Sequence, residues 1–184
     1  MAVAHDGSPY ITVYKRDGDS FTKLSALAAL PGTGYGCAFS PDSPDGSYLA
    51  VAHFNSPYIT VYKRDGDSFT KLSALAALPR YGYGCAFSPD GPDGTYLAVA
   101  HNYPPCITVY KRDGNSFTKL SGIEALPDTG RSCAFSPDGT YLAVAHDYSP
   151  YITSPYITVY KRDGDSFTKL SGIAALPGAG YGCA

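Results

Sequence analysis

The 184-residue sequence predicts an all-β fold made of four tandem copies of one four-stranded antiparallel unit. Three observations predict it. First, SPYITVYKRDGDSFTKLSALAALP stands unchanged at 8–31 and 56–79, returns at 154–177 with Gly172 and Ile173 as its changes, and recurs in worn form at 105–127. Second, the landmarks keep step: Ile11, Ile59, Ile107 and Ile157 are spaced 48, 48 and 50 residues apart, and His5, His53, His101 and His146 are spaced 48, 48 and 45. A period of this length marks an array of supersecondary units. Third, each unit carries apolar runs of strand length separated by turn signals.

The second unit shows the elements in order. GCAFS (36–40) is a short apolar run that ends in a Pro-Asp turn. YLAVAH (48–53) is a second run, and FNSP (54–57) turns the chain. YITVYKR (58–64) sets Ile59 and Val61 against Tyr58, Thr60 and Tyr62, the period of two of a strand. Asp65-Gly66 supplies a tight hairpin turn, since glycine tolerates the positive φ required there. SFTKLSAL (68–75) is read as the partner strand. The ALAAL segment that follows is too short to nucleate a helix alone and is closed by proline, so it is read as a strand end running into a loop. The departures from the period fall at turns: an SPD stutter in SPDSPDG (40–46) and a doubled SPYIT at 149–160.

Four antiparallel strands per unit, repeated, describe the blades of a β-propeller. CAFSPDGTYLAVAH (133–146) resembles the first two strands of a WD-repeat, and ITVYKRDGDSFTKL sits where that family places its third strand, turn and fourth strand. The likeness runs along the whole chain. The family's signatures are missing, however: no tryptophan occurs, Tyr14-Lys15 and its copies stand in place of the Trp-Asp pair, and there is no Gly-His pair before the first strand. The resemblance therefore implies WD-like blades without the family's internal hydrogen-bond network.

The phase of the ends sets the expected blades. Ala2 is equivalent to Ala50 and Ala184 to Ala38, so 2–35 supplies three strands of blade 1 and 181–184 supplies its first strand. Blades 2, 3 and 4 are 36–83, 84–131 and 132–180. Sharing one blade between the termini removes sheet edges that invite aggregation. Two geometries satisfy the phase: an eight-bladed ring formed as a homodimer, which is the favoured reading, and a four-bladed ring closed by one chain.

Composition bounds the function. The hydrophobic content of 44% supports a core, and a net charge of −2 gives no basic field for nucleic acid or anionic lipid. Twelve of the fourteen Lys and Arg residues lie in the KRDG and FTKL motifs beside aspartates, the pattern of a solvated hairpin rim. No signal peptide or membrane-spanning run is visible, so a soluble protein of unassigned compartment is expected. Cys37, Cys85, Cys133 and Cys183 occupy one equivalent position, are read as small core residues, and Cys106 replaces Tyr10 and Tyr58 of its sister units.

Candidate site residues gather at one face. Tyr35, Tyr83, Arg131 and Tyr181 each precede the repeated cysteine by two residues and are expected at the mouth of the central channel. His5, His53, His101 and His146 end the second strands, and Tyr10, Tyr58 and Tyr156 lie in the adjoining loops. A tyrosine offers an apolar plate with a polar tip, suited to protein or sugar contacts. The histidines stand too far from the axis to converge on one ion, so neither a metal nor a cofactor is expected. The DGDS turns at 17–20, 65–68 and 163–166 lack the further oxygen ligands of a calcium loop. No nucleophile–base motif appears, and near-identical blades offer the same side chains several times over.

The expected function is thus non-enzymatic: a self-assembling scaffold or protein-interaction module, with a multivalent lectin-like binder or an engineered or excised propeller piece as alternatives. Partners expected are a second copy of the chain and a protein or glycan, with no nucleic acid and no membrane. Such closely similar repeats resemble those of bacterial and phage surface proteins.

Overall fold

A computed structural model describes residues 1–41, 47–90, 94–147 and 155–184. The stuttered turn 42–46 and the first half of the doubled SPYIT segment, 149–154, lie outside these residues. The described chain holds fifteen strands and no helix. They form one three-stranded and three four-stranded antiparallel sheets, the blades of a propeller-like fold. Blade 1 contains β1 (Ala2–Ala4), β2 (Ile11–Asp17) and β3 (Ser20–Lys23). Blade 2 runs β4 (Gly34–Phe39), β5 (Tyr48–His53), β6 (Ile59–Asp65) and β7 (Ser68–Lys71). Blade 3 repeats it as β8 (Gly82–Phe87), β9 (Tyr96–His101), β10 (Ile107–Asp113) and β11 (Ser116–Lys119). Blade 4 comprises β12 (Gly130–Phe135), β13 (Tyr141–His146), β14 (Ile157–Asp163) and β15 (Ser166–Lys169).

Within a blade the strands meander in sequence order, so each pairs with the next. The register is copied: Cys37 faces Val51, Cys85 faces Val99 and Cys133 faces Val144, each beside a bulge at the start of the innermost strand. The hairpin glycines Gly18, Gly66, Gly114 and Gly164 have φ between 55° and 58°, the left-handed conformation that the Asp-Gly turns require.

The core lies between blades. Leu49, Val51 and Tyr62 of blade 2 pack with Ile11, Val13, Leu27 and Leu30 of blade 1, and the same layer recurs between blades 2 and 3 and between blades 3 and 4. The outer strand is shorter than the sequence suggests. β7 stops at Lys71 rather than continuing to residue 75, because Leu72, Leu75 and Leu78 turn away to fill this interblade layer. The backbone that leaves the sheet is recaptured by the following blade. Tyr62, Tyr110 and Tyr160 donate their hydroxyls to the carbonyls of Ala28, Ala76 and Glu124 at 2.5–2.6 Å.

The innermost strands approach closely. A Cβ on Gly36 would lie 2.5 Å from the Tyr83 carbonyl oxygen, and one on Gly84 would lie 2.9 Å from that of Arg131. Cys37, Cys85 and Cys133 point their thiols at the carbonyls of Ala2, Ala50 and Ala98 in the preceding blade, 3.6 Å away. Burial pushes the Cys133 thiol up to about 12, so it behaves as a neutral core group.

Residues 180–184 do not complete blade 1 within the chain. They lie against β12, where the Cys183 amide meets the Ser132 hydroxyl at 3.3 Å and the Gly180 amide donates to the His146 carbonyl. Among the described residues no strand pairs with the inner edge of β1, so the four blades form an open arc.

Candidate functional site

The second residue of each innermost strand points to the mouth of the arc. Tyr35 on β4 and Tyr83 on β8 lie with ring centroids 5.3 Å apart, and the Arg131 guanidinium of β12 sits 4.6 Å above the Tyr83 ring. Three of the four predicted mouth residues thus form one continuous row, held at a spacing set by the glycine-rich strands beneath them. Tyr181, in the terminal segment, stands strongly exposed beyond the row.

The residue just after each second strand decides what faces the row, and here the blades differ. Phe54 follows His53 and meets Tyr35 edge-on at 6.4 Å, while also stacking on Tyr81 at 4.2 Å. Arg80 lies over the Tyr81 ring at 4.9 Å. Asp147 follows His146 and grips Arg131 with both oxygens, the Nε contact being 2.8 Å. This bidentate carboxylate holds the proton on Arg131 still more firmly than usual. Partial burial, reinforced by Tyr83, raises the Tyr35 phenol above its ordinary value. The mouth is therefore an aromatic row with a cation at Arg80 and a paired cation and anion at Arg131 and Asp147. Sequence reasoning singled out Arg131 but not Asp147, Phe54, Tyr81 or Arg80. The available signal was the position after each histidine, which changes from Asp6 to Phe54, Asn102 and Asp147 while its surroundings repeat.

The histidines are placed elsewhere. His53, His101 and His146 are fully buried, and their Nε2 atoms meet the hydroxyls of Thr60, Thr108 and Thr158 on the third strands at 2.9–3.2 Å. Half-buried His5 meets Thr12 in the same way at 2.9 Å. Burial lowers His53 and His101 to about 4 and shifts His146 in the same direction, so the buried rings are neutral braces between strands. Among the described residues no three His, Cys, Asp or Glu side chains are grouped as metal ligands.

Tyr10, Tyr58 and Tyr156 are half-buried and have φ of 70°, 70° and 58°. Their carbonyls accept the amides of His5, His53 and His146, closing the loop between second and third strands. Cys106 fills the same left-handed position with φ 65°, so this loop demands a backbone shape rather than a phenol. Tyr58 also meets Tyr81 edge-on with ring centroids 6.1 Å apart, at the end of the row, whereas Tyr10 and Tyr156 form loop closures beside the mouth. The DGDS turns bind neighbouring blades: Asp67 pairs with Lys15 at 2.7 Å and Asp165 with Lys111 at 2.8 Å.

No protein-family model and no curated protein sequence matches the chain. Solved structures do. A protein of Lactobacillus plantarum aligns with a TM-score of 0.70 at 20% identity over 94% of this chain and 51% of its own. A candidate 6-phosphogluconolactonase of Bacteroides uniformis aligns with a TM-score of 0.63 at 15% identity over 90% and 51%. Another from Bacteroides fragilis aligns with a TM-score of 0.67 at 17% identity over 96% and 44%. The chain spans about half the length of these proteins, and at such identities the likeness is one of fold.

These neighbours correct the expectation of a non-enzymatic scaffold, interaction module or multivalent binder, because the same fold occurs in proteins described as candidate enzymes. The physical reason for the miss is visible at the mouth. Repetition argued against a site with distinct roles, yet Arg131 and Asp147 break the repetition at one blade. Among the described residues no helix is long and apolar enough to cross a membrane.

Proposed function

We propose that the mouth binds a phosphorylated sugar lactone of the 6-phosphogluconolactone class and opens its ring with water. The observation that carries the reading is the Arg131–Asp147 pair set against the Tyr83 plate, the point where the repeated mouth becomes asymmetric. The candidate lactonases among the structural neighbours support the substrate class.

The residues take distinct parts in this reading. Tyr35 and Tyr83 supply the apolar surface for the sugar ring. Arg80, at the far end of the aromatic row, supplies the cation for the phosphate. The Arg131 guanidinium stabilises the oxyanion that develops on the lactone carbonyl. Water adds to the carbonyl carbon as its proton passes to the Asp147 carboxylate. The bond from that carbon to the ring oxygen then breaks, and Asp147 returns the proton to the leaving oxygen, giving the open hydroxy acid and restoring the carboxylate.

The blades themselves we read as WD-like. In support, Ser40, Ser88 and Ser136 of the FSPD motifs accept the amides of Tyr48, Tyr96 and Tyr141 at 2.9–3.1 Å, closing the first hairpin alike in each unit.

The test is lactone hydrolysis followed by acid release. The chain is expected to exceed spontaneous opening, with Arg131→Ala lowering kcat on the order of 100-fold, as loss of an oxyanion donor does. Asp147→Asn is expected to lower kcat by a similar factor while leaving KM close to its starting value. Hydrolysis no faster than the spontaneous rate would overturn the reading.

A further inference from the structure

The two ends of the arc carry matching, unsatisfied halves of one blade–blade interface. At one end β1 has no inner neighbour among the described residues, and the side chains placed to meet a preceding blade are exposed. Met1 and Val3 are 59% and 43% exposed, whereas their equivalents Leu49, Val51, Leu97 and Val99 are at 0%. Phe21 is exposed where Phe167 is buried. At the other end blade 4 lacks a following blade. Tyr141 is 40% exposed against 4% and 3% for Tyr48 and Tyr96, and Leu176 is 38% exposed where Leu30 and Leu78 are at 3%. Between these faces 180–184 lies in the place of an innermost strand, with nothing within 4 Å of a Cβ built on Gly182. None of the backbone hydrogen bonds of 180–184 reaches β1 of the same chain.

We propose that a second copy of this chain fills both gaps, each terminal strand 181–184 completing blade 1 of the partner in an eight-bladed ring. The chain already contains the template. GYGCA at 180–184 is identical to 34–38 and 82–86, and AVAH at 2–5 is identical to 50–53 and 98–101. The pairing seen between β8 and β9 (Cys85 with Val99, Ala86 with Ala98) then places Cys183 opposite the partner's Val3 and Ala184 opposite the partner's Ala2. The interblade contacts transfer in the same register. The Tyr96 hydroxyl bonds the Gly164 carbonyl and Asp165, so Tyr141 meets the partner's Gly18 and the partner's Asp19. The Tyr110 hydroxyl bonds the Ala76 carbonyl, so the partner's Tyr14 meets that of Ala174.

The length of the solved neighbours sets the number of copies. Four blades overlay about half the length of the solved neighbours, so two arcs and not three close the ring. The contact is head-to-tail at each junction and made twice, so it ends at a closed dimer rather than a fibre. It also covers both bare sheet edges. The proposal is independent of what the mouth binds.

The test is native mass measurement of the full chain, joined to a cross-link. The wild type is expected at twice the 19.4 kDa of one chain. Val3→Cys is expected to form disulfides with Cys183 that join two chains on a non-reducing gel, and the bond should vanish in Val3→Cys/Cys183→Ser. A wild type at single-chain mass would overturn the proposal, as would a Val3→Cys link formed within one chain, which would mean that four blades close alone. A mass of three or more chains would equally overturn it.

Discussion

Acidification is expected to destabilise the fold well above the range in which carboxylates titrate, and the buried histidines set the size of the effect. His53 and His101 have no solvent exposure and are lowered to about 4 by burial, with Lys71 and Lys119 pushing the same way. In the unfolded chain each titrates near the ordinary histidine value of about 6.5. The folded value is depressed, so the unfolded state takes up protons first as pH falls. The stability conferred by the neutral buried rings is intact above about pH 6.5 and drains away towards pH 4. From these two values each ring costs about 2 kcal/mol of stability between pH 7 and pH 5, so the pair costs about 4 kcal/mol. His146 adds to this in the same direction. That is a large share of the roughly 5–15 kcal/mol by which domains are stable.

Urea unfolding followed by circular dichroism at pH 7, 6 and 5 measures this directly. The midpoint should fall steeply over that interval, and in His53→Gln/His101→Gln the slope should be largely gone even though the starting stability is lower. A midpoint that stays flat from pH 7 to pH 5, or an equal slope in the double variant, would refute the reasoning. Asp138, held down to about 2 by the Ser136 and Thr140 hydroxyls, contributes only at much lower pH and does not confound the window.

Two further changes probe the interblade layer. Tyr110→Phe removes the hydroxyl bonded to the Ala76 carbonyl at 2.5 Å and should cost about 1–3 kcal/mol in urea unfolding, with the m-value unchanged. Gly36→Ala drives a methyl to 2.5 Å from the Tyr83 carbonyl, and the resulting overpacking should cost about 1–3 kcal/mol. The same replacement at Gly182, whose surroundings are open in one chain, should leave the unfolding midpoint of isolated chains unchanged.

Much of the fold was legible because each unit states its strands twice, by pattern and by copy. The Asp-Gly turns and the alternation in ITVYKR predict β6 and its equivalents to within a residue of their ends. The outer strand was misread past Lys71, because Leu72, Leu75 and Leu78 continue an apolar pattern that serves the interblade layer instead of the sheet. The candidate site was half legible. Tyr35, Tyr83 and Arg131 follow from their fixed offset to the cysteines, which the register turns into a row. Asp147 escaped because its partner lies 16 residues away across a bulged hairpin, and its own sister positions hold Asp6, Phe54 and Asn102. Exact repetition drew attention to what the blades share, whereas the proposed site rests on positions where one blade departs from the others.

The central claim concerns the mouth, and a crystal structure of the protein grown with 6-phosphogluconate, the acid that lactone opening would release, tests it most directly. The account predicts the product's carboxylate within hydrogen-bond reach of the Arg131 guanidinium, with its carbon chain lying along Tyr83 and Tyr35. A mouth free of product at saturating concentration, or product bound away from Arg131 and Asp147, would contradict it.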